Sequence, residues 1–230
     1  MLNLILLLAC DIESNIPSLD DSNIEFGDES QTDSPFLLAV GDSFFEWNAE
    51  EGASIPDVVA ESLDFELQNN AISGAYFSAE DGDDIREQYE SGEWGWVLVD
   101  GGGNDMNDEC NCNTCEDNLD SIALEDGTAG DLYEFVSQIR SEGPRVAIMT
   151  YYNIPSNADD FRNCNDEVED LANRFAAVAE NMEGVIHIDA RDVASPETTP
   201  EAYDSDLVHP SVEGCQIIGE YIAEQIRAAD

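Results

Sequence analysis

Phe36-Leu37-Leu38-Ala39-Val40-Gly41-Asp42-Ser43-Phe44-Phe45 is the stretch that decides the fold. Five apolar residues in succession suit a strand covered on both faces, as in a parallel sheet. Gly41 then lets the backbone turn sharply, and Phe44 and Phe45 fall where a helix would begin. Ser43 at that helix N-terminus would face the positive end of the helix dipole, which favours an anion developing beside it. Asp-Ser is also an ordinary helix N-cap, so this tripeptide alone does not define a site.

Similar apolar runs recur downstream at Trp96 to Val99, Arg145 to Met149 and Val185 to Ile188, with a less apolar one at Phe65 to Asn69. Helical patterns alternate with them at Ile55 to Leu63, Asp83 to Tyr89, Asp131 to Arg140, Asp166 to Met182 and Val212 to Ala228. Strand alternating with helix implies right-handed βαβ units, so the expectation is a three-layer α/β fold around a doubly wound, parallel sheet. In such sheets the functional groups collect at the carboxyl ends of the strands.

The chemically capable residues do follow the apolar runs. After the Trp96 run comes Asp100-Gly101-Gly102-Gly103-Asn104-Asp105. Three glycines together point to unusual torsions or a close approach, and Asn104 offers an amide donor. Before the final amphipathic segment comes Asp206-Leu207-Val208-His209. The spacing lets the carboxylate reach back to one imidazole nitrogen and fix the tautomer. The chain has only two His, and the other, His187, lies inside an apolar run where a structural role is expected. No Gly-x-Ser-x-Gly elbow and no His-Glu-x-x-His zinc motif occurs.

Together these segments resemble the SGNH (GDSL-type) hydrolase family. Its blocks are matched in order by Gly41-Asp42-Ser43, by Gly74 in Asn70-Ala71-Ile72-Ser73-Gly74, by Gly102-Gly103-Asn104-Asp105 and by Asp206 to His209. The resemblance covers about residues 36 to 228 and implies a flavodoxin-like, five-stranded parallel sheet. It also implies a serine esterase with Ser43 as nucleophile, His209 as base and Asp206 as the group orienting it. The oxyanion hole would comprise the backbone N–H groups of Ser43 and Gly74 and the side-chain amide of Asn104. No cofactor or metal is implied.

Phe44, Phe45, Trp47 and Tyr76 follow two of these blocks and are candidates to line the substrate pocket, although aromatics at such spacing also serve as core. The expected substrate is a short-chain or O-acetyl ester of a neutral sugar or small molecule. A lysophospholipase or thioesterase would use the same residues. A non-catalytic envelope binding module on the same scaffold would not need Ser43, Asn104, Asp206 and His209 together.

Cys110-Asn111-Cys112-Asn113-Thr114-Cys115 follows Asn104 closely, with Cys164 and Cys215 further on. A redox dithiol and a thiolate zinc site are conceivable readings, but in an exported chain one or two disulfides within Cys110, Cys112, Cys115 and Cys164 are favoured. Spacing does not fix the pairs, and Cys215 is the expected leftover thiol.

Residues 1–10 form a short apolar segment ending Leu7-Leu8-Ala9-Cys10, which resembles a bacterial lipobox and makes Cys10 a lipidation candidate. Residues 11–34 hold eight acidic residues and no basic one, the composition of a flexible linker to a catalytic domain over 35–230. The expectation is an exported monomer, either secreted or periplasmic or held at the cell envelope by a lipid tether at Cys10.

The whole chain of 230 residues carries 53 acidic residues against 7 basic ones, all Arg, for a net charge of −46. Such a field repels nucleic acids and anionic head groups, which argues against a nucleic-acid partner. Self-repulsion over a Debye length of roughly 8–10 Å makes the folded state depend on counterions. The expected outcome is a Tm that rises from low to high NaCl in a thermal-unfolding series; a flat or falling trend would refute salt stabilisation.

Overall fold

The computed structural model describes residues 34–77 and 83–229, so Cys10 and nearly all of the expected acidic linker lie outside the described residues. Five strands form one parallel sheet: β1 (Phe36–Val40), β2 (Glu66–Asn69), β3 (Trp96–Val99), β4 (Arg145–Thr150) and β5 (Val185–Asp189). Their spatial order is β2-β1-β3-β4-β5, the expected flavodoxin-like arrangement. The central strands are buried on both faces, which explains why they read as continuous apolar runs rather than alternating ones.

The order reverses at β1, which lies between β2 and β3 with Val40 opposite Val99. The loops leaving these two strands diverge to opposite faces and open a crevice at their carboxyl ends. Both Gly41-Asp42-Ser43 and the Gly101 to Asn104 segment begin there.

The helices are α1 (Ser43–Glu46), α2 (Ile55–Leu63), α3 (Glu116–Ile122), α4 (Asp131–Glu142), α5 (Asn165–Glu180) and α6 (Val212–Ala229). The start of α2 is locally encoded: Ser54 and Asp57 form a reciprocal capping box with Pro56 in the first turn. Such a cap contributes about 1 kcal/mol. The helix stops at Asp64, whose φ of 58° leaves the helical region.

Two readings of the sequence need correction. Asp83 to Tyr89 is not a full helix but a short 3-10 turn at Ile85–Gln88. Its leading residues are drawn into strand-like pairing, with Tyr76 N–H donating to the Asp83 carbonyl and Ile85 N–H to that of Tyr76. Conversely, α3 forms where no helix was expected. It buries only Leu119 and Ile122, too few for a periodic signal, but Arg174 of α5 reaches across to it. That guanidinium is 1% exposed, donates to Asp120 at 2.6 Å and to the Ala123 carbonyl at 2.7 Å, and pairs with Asp170 at 3.2 Å.

Both disulfides join cysteines of the expected set. Cys110 pairs with Cys115, closing a small loop, and Cys112 pairs with Cys164, tying the segment after Asn104 to the start of α5. Cys215 is free and buried in α6, where burial pushes its thiol up to about 11. Among the described residues no helix is long and apolar enough to cross a membrane.

Candidate active site

Ser43 is the first residue of α1, placed by the turn that follows β1. That turn requires glycine at position 41, because a Cβ there would lie 1.5 Å from Asp100 Oδ1. The close approach has a purpose: the same Asp100 oxygen accepts the Asp42 N–H at 2.8 Å. Gln88 completes the frame, accepting from Gly41 N–H at 2.7 Å and donating to its carbonyl at 2.9 Å.

His209 arrives from the loop before α6, 166 residues further along the chain, with Nε2 at 2.9 Å from Ser43 Oγ. Its Nδ1 lies 2.6 Å from Asp206 Oδ2. Partial burial works against ionisation of Asp206. Hydrogen bonds from the His209 ring and from the His209 and Val208 backbone N–H groups outweigh it and hold the carboxyl below its usual range. An ionised Asp206 can only accept, so Nδ1 carries a proton, and in the neutral form of the ring Nε2 is the acceptor that faces Ser43. His187 stands apart, its ring 3.0 Å from Thr150 Oγ1 and kept neutral by burial, in the structural role expected of it.

Gly101 and Gly102 adopt φ of 141° and 96°, conformations closed to most side chains, and deliver Asn104 to the crevice. Asn104 Nδ2 donates one hydrogen to the Ala75 carbonyl at 2.9 Å, which fixes the amide plane and leaves its second hydrogen for a ligand. Ala75 follows Gly74, whose φ is 83°. The backbone N–H groups of Ser43 and Gly74 donate to nothing among the described residues. Ser43, Gly74 and Asn104 therefore each retain an unused donor.

Tyr151, just after β4, is a residue the sequence reading missed. Its hydroxyl donates to Asp42 Oδ2 at 2.6 Å and accepts the Gly103 N–H at 3.0 Å, so one phenol ties the nucleophile loop to the Asn104 loop. It lies two residues beyond the apolar run Arg145 to Met149, with no motif to single it out. Burial, with Asp42 and Asp100 nearby, pushes its ionisation well up and keeps it a donor. Asp42 and Asp100 are 2% and 0% exposed, and burial pushes both carboxyls up, Asp100 well above the ordinary range.

A narrow pocket opens beside Ser43 and Asn104, lined by Phe44, Met106, Tyr151, Ile154, Phe161, Cys164 and Val168. It has room for little more than a water-sized group, and its wall is mostly apolar. Of the four aromatic candidates only Phe44 lines it. Phe45 is fully buried in the core, since neighbours on a helix point about 100° apart. Trp47 stacks on His209, and Tyr76 donates its hydroxyl to Asp108 at 2.6 Å.

These residues fall within a stretch, 39–217, that matches the family model for the GDSL-like lipase/acylhydrolase family. The chain belongs to that family, whose members are esterase-type hydrolases. A search of curated proteins found no significant match. Among solved structures, a carbohydrate acetylesterase family member from Sinorhizobium meliloti superposes with a TM-score of 0.63 at 17% identity, covering 84% of this chain and 98% of its own. An inhibitor-bound aryl esterase from M. smegmatis gives 0.62 at 18% identity, covering 85% and 99%. Likeness at this identity concerns the fold.

The buried carboxyl beneath the nucleophile generates a linkage prediction. A carboxyl whose folded value is raised contributes fully below its unfolded value, near 3.8, and loses that contribution as pH rises through the folded value. Asp100→Asn keeps an acceptor for the Asp42 N–H without a charge. In urea unfolding from pH 4 to 8, wild type should lose stability relative to Asp100→Asn as pH rises. A constant difference would show that Asp100 does not titrate abnormally.

Proposed function

We propose that this chain is a serine esterase hydrolysing short-chain acyl or O-acetyl esters of neutral sugars or small molecules, with Ser43, His209 and Asp206 as its triad. The observation that carries the reading is the continuous hydrogen-bonded line from Ser43 Oγ through His209 to Asp206, at 2.9 and 2.6 Å. In it His209 Nε2 takes the Ser43 proton as Oγ bonds to the acyl carbon. The carbonyl oxygen becomes an anion facing the unused donors of Ser43, Gly74 and Asn104. One such donor is typically worth about 10²–10³ in rate. Collapse expels the alcohol, which takes the proton from His209, and leaves an acyl-serine. Water then gives its proton to His209 and attacks the same carbon, and the returning proton frees Ser43 with release of the acid.

The size of the pocket favours acetyl and its near homologues over the long chains of a lysophospholipase or thioesterase. The solved acetylesterase of similar fold points the same way. Two disulfides support an exported location, where oxidation persists, and Cys10 would then serve as the lipid tether.

A p-nitrophenyl ester series tests this reading. Activity should be highest on acetate, decline toward butyrate, and fall on the order of 10³-fold or more in Ser43→Ala. Equal rates in the two proteins would end the proposal. Phe161 lines the pocket from a backbone φ of 57°, an uncommon conformation for a bulky residue. Phe161→Ala should raise the ratio of hexanoate to acetate turnover by about tenfold or more, the worth of space for extra methylenes. An unchanged ratio would mean that this wall does not set chain length.

A further inference from the structure

Trp47 has no part in the proton transfers described above, yet it makes the closest aromatic contact with the residue that carries them. It lies four residues after Ser43 at the end of α1, on the same face one turn later. Its ring lies flat on the His209 imidazole, with centroids 3.8 Å apart and planes inclined by 6°. The indole N–H donates to Asp204 Oδ2 at 3.0 Å, and the Asp204 N–H donates in turn to the His209 carbonyl at 2.8 Å. The indole is therefore held at one end by the nucleophile's own helix and at the other by the loop that carries the base. Next to it, Asn48 Nδ2 donates to the Pro210 carbonyl at 3.0 Å, a second tie between the same two segments.

We propose that Trp47 is a positioning residue for ester hydrolysis, its indole face fixing the plane of the His209 ring and stabilising the positive charge the ring acquires in each transition state, with Asp204 as its anchor. The role rests on the reading of His209 as general base. Asp206 grips the imidazole at Nδ1 alone, so the ring can still tilt about that contact and swing Nε2 away from Ser43. A flat partner at stacking distance blocks the tilt. The negative face of an indole also attracts a cation, and more so where water is excluded, so contact with the imidazolium is stronger than contact with the neutral ring. An interaction that strengthens as charge develops lowers the barrier rather than merely binding the ground state. A simple packing role would need a side chain of similar size but no aromatic face.

The discriminating comparison is Trp47→Leu against Trp47→Phe, assayed on p-nitrophenyl acetate, with folding checked by circular dichroism. In Trp47→Leu, kcat should fall by about tenfold with KM little changed, because the loss is confined to the charged transition state. Trp47→Phe keeps a π face but not the N–H that binds Asp204, and should recover part of that loss. Equal falls in both variants, an unchanged kcat in Trp47→Leu, or a rise in KM alone would each overturn the proposal. The wild-type protein supplies a reading that needs no variant: the carbon-bound imidazole protons of His209 should resonate upfield of those of free histidine through the indole ring current, and their absence from that region would remove the stack. If the wild type neither hydrolyses esters nor is labelled at Ser43 by a fluorophosphonate, the esterase reading fails, whatever the ring current shows.

Discussion

The hydrogen bond from the Asp42 backbone to the buried carboxyl of Asp100 joins the ends of β1 and β3, and the arrangement of the crevice follows from it. It forms only because position 41 has no side chain to separate the two strand ends. Tyr151 brings in the third strand, with its hydroxyl shared between Asp42 and the Gly103 N–H. Two acids and a phenol thus set the mutual positions of the nucleophile and the Asn104 loop from beneath. Burying such groups is unfavourable unless they are hydrogen-bonded. Asp100 Oδ1 and the Tyr151 hydroxyl each accept a backbone N–H of the site, while Asp100 Oδ2 is buried without a partner among the described residues. The network is therefore as much a positioning device as a source of stability.

Above this frame the loops are held in a different way. The chain leaving Asn104 enters a π-helical turn at Asp105–Glu109, whose hydrogen bonding is irregular, and then the cysteine-rich stretch. Cys112–Cys164 ties that stretch to the loop carrying Phe161, and Asn165 clamps the same loop by accepting the Ile154 N–H and donating to its carbonyl. A pocket bounded by two irregular loops would ordinarily be adaptable. The bridge restrains the side of the pocket to which Cys164 and Phe161 contribute.

Much of this was legible because the strands are central and buried, so Phe36 to Val40 and Trp96 to Val99 read as apolar runs and the residues after them fall at the strand ends. Ser43, Asn104, Asp206 and His209 could be placed together on that topology and the family blocks they match. What sequence did not disclose were relations across space. Phe44 and Phe45 are adjacent in sequence, but the pitch of a helix sends one to the pocket and the other to the core. Tyr151 lies beyond the apolar run and carries no motif of its own until Asp42 is seen beside it. Cysteine pairing depends on the approach of α5 to the Asn104 loop, and the bonds from Arg174 to α3 cross from another helix; neither leaves a local pattern. Trp47 was noticed as an aromatic near the nucleophile, but its partner lies 162 residues away in sequence, at the imidazole.

The charge of the chain poses a question that the geometry of the site answers. A net charge of −46 would seem a poor setting in which to stabilise an oxyanion. Most of that charge is exposed, however, and beyond a Debye length of roughly 8–10 Å it is screened by counterions. In the proposed reaction the donors of Ser43 and Asn104 would act at hydrogen-bond distance beside a pocket walled by Phe44, Met106 and Val168. Contact dipoles in such surroundings outweigh a distant field in water. The field acts instead on what approaches, and it disfavours anionic ligands. On the proposed assignment, a site using backbone N–H groups and one amide, rather than a cation, would need no local reversal of that surface charge.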